Sequence, residues 1–354
     1  MRSLGRLAFS AALLACCFAT VSVAGCRERG PWKVEGLTST LAQPLVGKLL
    51  ASYHGRDPSA VIEAVPLGAH ESARRRLTEK SAHFFITEGP VPLVGQPDLA
   101  SRPVVVPVAV GGVAVVYHLA GDPPLRLTTE ALVDLFAGKI ASWDDPKLAA
   151  IDGNAKLPAT KVDVVHRGDP SGTAAVFAEL ASEISVEWRE RVGRGLTLKW
   201  PVGRDVEGTD GVVAAVKSSP GTIGLVPLNA AVAAGLHVAA LQNPAGRFVV
   251  PDAASLTAAA AGATWPLHEP PPSLLRRPDP AAYPLAMFVY VVFDEARLAA
   301  PRVQGLAKFL SWALTTGQKD AQTLGYGTLP PSIVGAYGKG LEQLSRDDWS
   351  PPAL

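Results

Sequence analysis

The chain has 354 residues and a formal net charge of +1, from 33 Lys and Arg against 32 Asp and Glu. That length gives room for a large core and two lobes, and the near-balance of charge without a basic stripe argues against a nucleic-acid partner. Any anion the protein takes must therefore be caught by local geometry rather than by a global field.

The N-terminus reads as an export signal. Arg2 and Arg6 precede an apolar stretch from Leu7 to Val23, which ends in Val23-Ala24-Gly25-Cys26 before the charged Arg27-Glu28-Arg29. Small residues leading into a Cys resemble a bacterial lipobox, with Cys26 as the lipidated first residue of the mature chain. An ordinary cleaved signal or an uncleaved anchor would look similar, and Leu14-Ala15-Cys16 offers a second site after a much shorter apolar run. All three cysteines lie in this region, so a chain acylated at Cys26 has no thiol left for a disulfide or a metal. No other segment offers about 20 uninterrupted apolar residues; Pro103 to Ala120 is interrupted by Pro107 and Gly111-Gly112.

After a tether at 26–31, helices and strands alternate. Thr38-Ser39-Thr40 precedes a helical pattern of Leu41, Leu45, Leu49 and Tyr53, with Pro44 near its start. Ala60–Val65 and His83–Thr87 read as strands, and the Val runs of 103–120 as buried parallel strands. Leu127–Phe136 and Pro146–Ile151 read as helices and Val162–His166 as a strand. Gly208-Thr209-Asp210-Gly211 opens a helix through Lys217, Thr222–Val226 is a strand, and the Pro-rich 268–284 is an exposed loop. Leu285–Phe293 is a strand and Val303–Thr316 a helix. This alternation predicts an α/β protein with mostly parallel sheets flanked by helices.

The richest stretch is Val164-Val165-His166-Arg167-Gly168-Asp169-Pro170-Ser171-Gly172-Thr173-Ala174. A strand runs into an Arg, an Asp and a small turn, and a helical pattern (Ala174, Phe177, Leu180, Ala181, Ile184) follows at once. Free N–H groups at a helix start, two hydroxyls and a guanidinium make an anion site. A helix capped for stability beside a surface Arg leaves the same letters, and both readings stand on this stretch alone. The order Gly-x-x-Ser-Gly departs from the Gly-x-Ser-x-Gly nucleophile elbow, and Ser171 has no evident His and acid partners.

Several stretches in one order resemble the PstS family, the phosphate-binding proteins of bacterial phosphate-specific ABC transporters. They are Pro107–Val113, Leu135–Ile140 with Trp143–Pro146, Val164–Thr173, Trp200–Gly203, Ser219–Gly224, and Gly325–Gly327 with Leu329-Pro330. The resemblance implies a two-lobed clamp that closes over phosphate by hinge motion, one lobe from 32–113 and 286–354, the other from 114–285. It carries Arg167, Ser171, Gly172 and Thr173 onto the phosphate, with Asp169 holding the Arg. From the first lobe it implies the Thr40 hydroxyl and the Leu41 N–H, where relatives usually have Thr-Phe. A Gly-Ser-Gly-rich turn of the family reads Leu67-Gly68-Ala69-His70-Glu71-Ser72 here, leaving His70 and Ser72 as candidate donors beside a plain solvated turn. The family Asp that accepts the phosphate proton becomes Glu88, in Thr87-Glu88-Gly89-Pro90, against the alternative of a surface Glu.

The function implied is a binding protein, not an enzyme: a lipid-anchored extracytoplasmic monomer that delivers inorganic phosphate to ABC permease subunits, with no cofactor and no metal. A carboxylate at 88 would accept a proton from hydrogen phosphate and repel sulfate, which has none. The altered first-lobe segments also admit a divergent paralogue that takes another oxyanion or senses phosphate without transport. A phosphate-ester hydrolase would need a metal cluster or activated nucleophile, and the seven His show no His-x-x-x-His spacing.

Overall fold

The structure is a computed structural model that describes residues 33–66, 82–89, 103–151, 154, 156–269 and 271–350. Cys26, His70 and Ser72, and with them the lipidation and turn-donor expectations, lie outside the described residues.

The principal sheet is built around one long strand, β4 (Pro103–His118), whose fourteen central residues are all buried. On one side stand β1 (Lys33–Thr38), β2 (Val61–Pro66), β3 (Phe84–Glu88) and β12 (Ala286–Asp294). On the other stand β6 (Asp163–Arg167), β7 (Arg204–Val206) and β8 (Thr222–Pro227). The order is β2-β1-β3-β12-β4-β8-β6-β7, with β9 (His237–Val238) also paired to β4. A separate three-stranded sheet joins β5 (Arg126–Leu127), β10 (Ala240–Gln242) and β11 (Phe248–Val249).

The sheet is mixed, which corrects the expectation of mostly parallel sheets. The outer groups are parallel (β1 with β2 and β3, β6 with β7 and β8), whereas β4 runs antiparallel to both β12 and β8. The Val runs of 103–118 are one strand rather than several parallel ones. A strand buried on both faces reads as apolar whichever way its neighbours run, so its direction was not in the letters. β4 also changes partner along its length: Pro103–Gly112 pair with β12, and Val113–His118 with β8.

Eleven helices among the described residues cover the sheets. They are α1 (Gln43–Arg56), α2 (Thr129–Phe136), α3 (Pro146–Ala149), α4 (Gly172–Ile184), α5 (Val186–Arg191), α6 (Gly208–Ser218), α7 (Leu228–Ala234), α8 (Ala253–Ala259), α9 (Ala300–Leu314), α10 (Gln318–Thr323) and α11 (Pro331–Leu344). Leu127, read as helical, belongs to β5; the helix begins after Thr128, whose hydroxyl accepts from Ala131 N at 3.0 Å. α11 buries Ile333, Tyr337, Leu341 and Leu344 at helical spacing, a stripe diluted in sequence by three glycines. No helix among the described residues is long and apolar enough to cross a membrane.

Two aromatic clusters fix the helices nearest the strand ends. Tyr53 of α1 meets Phe309 and Trp312 of α9 at 5.3 and 5.4 Å between ring centres. Phe177 of α4 packs on Phe136 at 4.8 Å and on Trp188 at 5.3 Å, with Trp200 stacked at 5.8 Å. Burial of one such ring is worth roughly 1.5–3 kcal/mol, so the second cluster sets the position of α4 before any ligand arrives.

Candidate anion-binding site

In each parallel group the chain leaves the carboxyl end of a strand and enters a helix, the place where open α/β sheets assemble ligand sites. Arg167 is the last residue of β6, and four residues later Ser171 caps α4. The Ser171 hydroxyl accepts from Ala174 N at 3.3 Å and lies 2.7 Å from the Thr173 hydroxyl. Its own N–H donates to Leu196 O at 2.9 Å, which pins the turn from outside. Ser171 and Thr173 are buried, so both hydroxyls sit at the helix start away from bulk water.

Arg167 is held before any ligand is considered. Its Nε and Nη2 both donate to the Asp169 carboxylate, and Nη2 also reaches Pro170 O at 3.2 Å. Only 6% of its side chain is exposed. Asp169 in turn accepts Gly208 N at 3.1 Å, tying the loop to the first residue of α6. The Arg167 hydrogen bonds and the Gly208 N–H hold the Asp169 carboxyl below its ordinary range. With one edge of the guanidinium committed to Asp169, Nη1 is left facing Thr209 Oγ1 at 3.5 Å, the outer limit of a hydrogen bond.

His166, just before the Arg, lies flat on Trp200, with 4.7 Å between ring centres and a 12° tilt. Its Nε2 lies 3.1 Å from Val202 O and its Nδ1 3.0 Å from Asp205 Oδ1, and burial lowers its pKa.

The first group of strands contributes a different kind of residue. Glu88 closes β3 and is buried, with 4% of its surface exposed. Gly89 follows at φ +74°, a left-handed turn that ends the strand. Ser39 Oγ donates to Glu88 Oε2 and accepts Ala42 N at 3.1 Å. Glu88 Oε1 is fully buried and has no hydrogen-bond partner among the described residues. It points at α4: a Cβ built on Gly172 would lie 1.9 Å from it, so only glycine lets the carboxyl approach the helix start. Burial pushes the Glu88 carboxyl up to about 7, an effect the Ser39 hydrogen bond only partly offsets.

The structure thus brings Glu88, Gly172, Ser171, Thr173, Arg167 and Asp169 around the first turn of α4. It does not do the same for Thr40, whose residue is exposed. Leu41 is buried beside it and gives its carbonyl to the Tyr326 hydroxyl at 3.0 Å. The hydroxyl that meets Glu88 is that of Ser39, one residue earlier. The parallel register Thr38↔Ile86 places Ser39 near the end of β3, and that register is the signal that would have found it. Thr209 and Gly208 were also missed; their signal was the glycine-rich opening of α6. Among the described residues no group of three or more His, Cys, Asp or Glu could hold a metal ion.

Residues 27–316 match the family described as a PBP superfamily domain. A phosphate-binding protein PstS of Pasteurella multocida is 30% identical over 85% of this chain and 87% of its own. The chain belongs to the PstS family. A second PstS, from Xylella fastidiosa, is 36% identical over 64% of each chain, so the match spans less than two thirds of that relative's length. An ABC-type phosphate transport receptor from Vibrio cholerae superposes with a TM-score of 0.58 over 84% of this chain and all of its own, at 15% identity, a likeness of fold. The strand-to-helix turn at Arg167–Thr173 and the buried Glu88, which come from different parallel groups of strands, meet at Gly172.

Proposed function

We propose that the protein captures inorganic phosphate between two lobes outside the cytoplasmic membrane and delivers it to an ABC permease. The observation that carries this reading is the buried, unpartnered Glu88 Oε1 aimed at the N-terminus of α4. A helix start beside an Arg attracts an anion, and a carboxylate at the same point would repel one unless the anion brings a proton. Hydrogen phosphate satisfies both conditions. Arg167, Ser171, Thr173 and the N–H groups at the start of α4 take its ionised oxygens, and Glu88 Oε1 takes its proton. Asp169 orients Arg167 in advance, which lowers the cost of binding.

In this reading the lobes divide at 113/114 and at 285/286, which the partner change of β4 at Gly112–Val113 supports. Gly111 and Gly112 at that point give the hinge. Leu41 N–H and, at the rim, Thr40 join from the first lobe on closure, with His70 or Ser72 as a further donor. Cys26 anchors the chain to the membrane by lipid, and no cofactor is needed. The names of the relatives, phosphate-binding proteins rather than enzymes, accord with transport.

Calorimetric titration of the full chain, freed of bound ligand by unfolding and refolding, tests the reading. Saturable phosphate binding at one site per chain is expected at pH 8.5. No heat and no shift of the melting temperature with phosphate would end it.

A further inference from the structure

Glu88 is a buried carboxyl that meets no cation among the described residues. Among the described residues no Lys, Arg or His forms an ion pair with it, and Arg167 is committed to Asp169. The segment between β1 and α1 gives it the Ser39 hydroxyl, and α4 gives it the bare Gly172. Among the described residues the titratable groups facing it are two phenols, Tyr290 of β12 and Tyr326 ahead of α11, and both are pushed upward by burial, with Glu88 adding to the effect. Ser39 is the one side chain among the described residues that hydrogen-bonds the ionised form, and burial outweighs it.

The two oxygens are not equivalent. Ser39 satisfies Oε2, and Oε1 has no partner. In the carboxylate form Oε1 only accepts, so the ligand must supply a proton. With Ser39 still donating to Oε2, the neutral acid carries its proton on Oε1, and the same atom becomes a donor. It then suits an oxyanion that carries no proton.

We infer that one proton on Glu88 sets the ligand class of the cleft. The carboxylate takes a tetrahedral oxyanion that still bears a proton, as hydrogen phosphate does, and the carboxylic acid takes a fully ionised one, such as sulfate. The inference rests on the phosphate reading of the site and extends it. An Asp or Glu paired with a cation would stay ionised and hold the first class throughout. Isolation from cations among the described residues, and burial that brings the acid form into the neutral pH range, distinguish this site.

Sulfate is the informative probe, because phosphate itself titrates near neutrality and sulfate does not. The full chain, freed of ligand, is titrated with each anion at pH 5.5 and 8.5, alongside E88Q and S39A. Sulfate affinity in the parent is expected to fall about 30-fold between pH 5.5 and 8.5, following the fraction of Glu88 in the acid form. In E88Q the side-chain amide is a donor at every pH, so sulfate binds with the same affinity, within twofold, at both. S39A keeps the carboxyl but removes the side-chain hydrogen bond that favours its ionised form, and moves the midpoint of the sulfate profile to higher pH. Phosphate binding with no sulfate binding at pH 5.5 would overturn the inference and leave the phosphate reading standing. A sulfate profile that keeps its slope in E88Q would assign the slope to another group, His166 foremost, and also overturn it. Absence of phosphate binding at either pH would remove the phosphate reading, and the inference with it.

Discussion

Arg167 and Glu88 both serve the first turn of α4, and the chain holds them by opposite physics. Arg167 is braced: a carboxylate takes two of its donors and leaves Nη1 turned outward, that carboxylate is tied to a backbone N–H of α6, and the loop is pinned by Leu196 O. Glu88 is half satisfied, with one oxygen on Ser39 and the other bare and buried. The braced side supplies fixed geometry and charge. The unsatisfied side supplies a standing cost that only a ligand with the right proton relieves. Affinity and selectivity are thus separable between the two sides, and each can be broken alone.

Removing the braced side should have the largest effect. Arg167→Ala deletes two charge-assisted donors and leaves Asp169 with only a backbone partner; phosphate affinity should fall by at least 100-fold, about 3 kcal/mol or more. Calorimetry reads the loss, and an unchanged circular dichroism spectrum separates it from unfolding. Equal affinity in the variant would take Arg167 out of the site.

Opposite pH dependences of stability should follow from the two sides in the ligand-free protein. The folded pKa of Glu88 is raised from 4.5 to about 7, so the native state holds a proton that the unfolded chain has released. That contribution is full below about pH 4.5 and is lost as pH rises toward 7, on the order of 3 kcal/mol in all. Asp169 is shifted the other way, so its contribution is present above its ordinary pKa and lost as pH falls through the lowered one. Urea melts from pH 4.5 to 7.5 should show the downward trend, and Glu88→Gln should flatten it. A parent profile as flat as the variant's would mean that the carboxyl is not isolated.

Crowding the contact between the sides comes next. Gly172→Ala places a methyl where Glu88 Oε1 sits, so the carboxyl must withdraw. A loss of roughly 10- to 30-fold in phosphate affinity is expected, from overpacking costs of about 1–2 kcal/mol. Glu88→Ala in the same chain should restore part of it, since the clash is then gone. The smallest effect is that of Thr209→Ala, which removes a long contact to Nη1. It should alter phosphate affinity less than about fivefold, given the modest worth of a weak hydrogen bond; Thr209→Ser should match the parent.

The two sides were also unequally legible. Arg167 to Thr173 is contiguous, and a strand, a turn and a helical stripe follow one another in the letters, so the anion site could be read directly. Glu88 was recovered only by its place in a family pattern, because nothing adjacent in sequence marks it as buried. Ser39 was passed over for Thr40. Choosing between neighbours requires the parallel register of β1 on β3, and neither residue carries that information. The direction of β4 was hidden for a related reason: burial on both faces erases the alternation from which direction and neighbours are inferred.

The order β3-β12-β4 also has a meaning in time. Phe84–Glu88 and Pro103–Gly112 are close in sequence, yet β12 lies between them and donates the strand edge on which Glu88 pairs with Val289. Roughly 200 residues separate the synthesis of Glu88 from that of its neighbour, an interval of about 10–40 s at ribosomal rates. The discriminating half of the site thus depends on the last strand of the chain, and Glu88 is enclosed only once β12 pairs with β3.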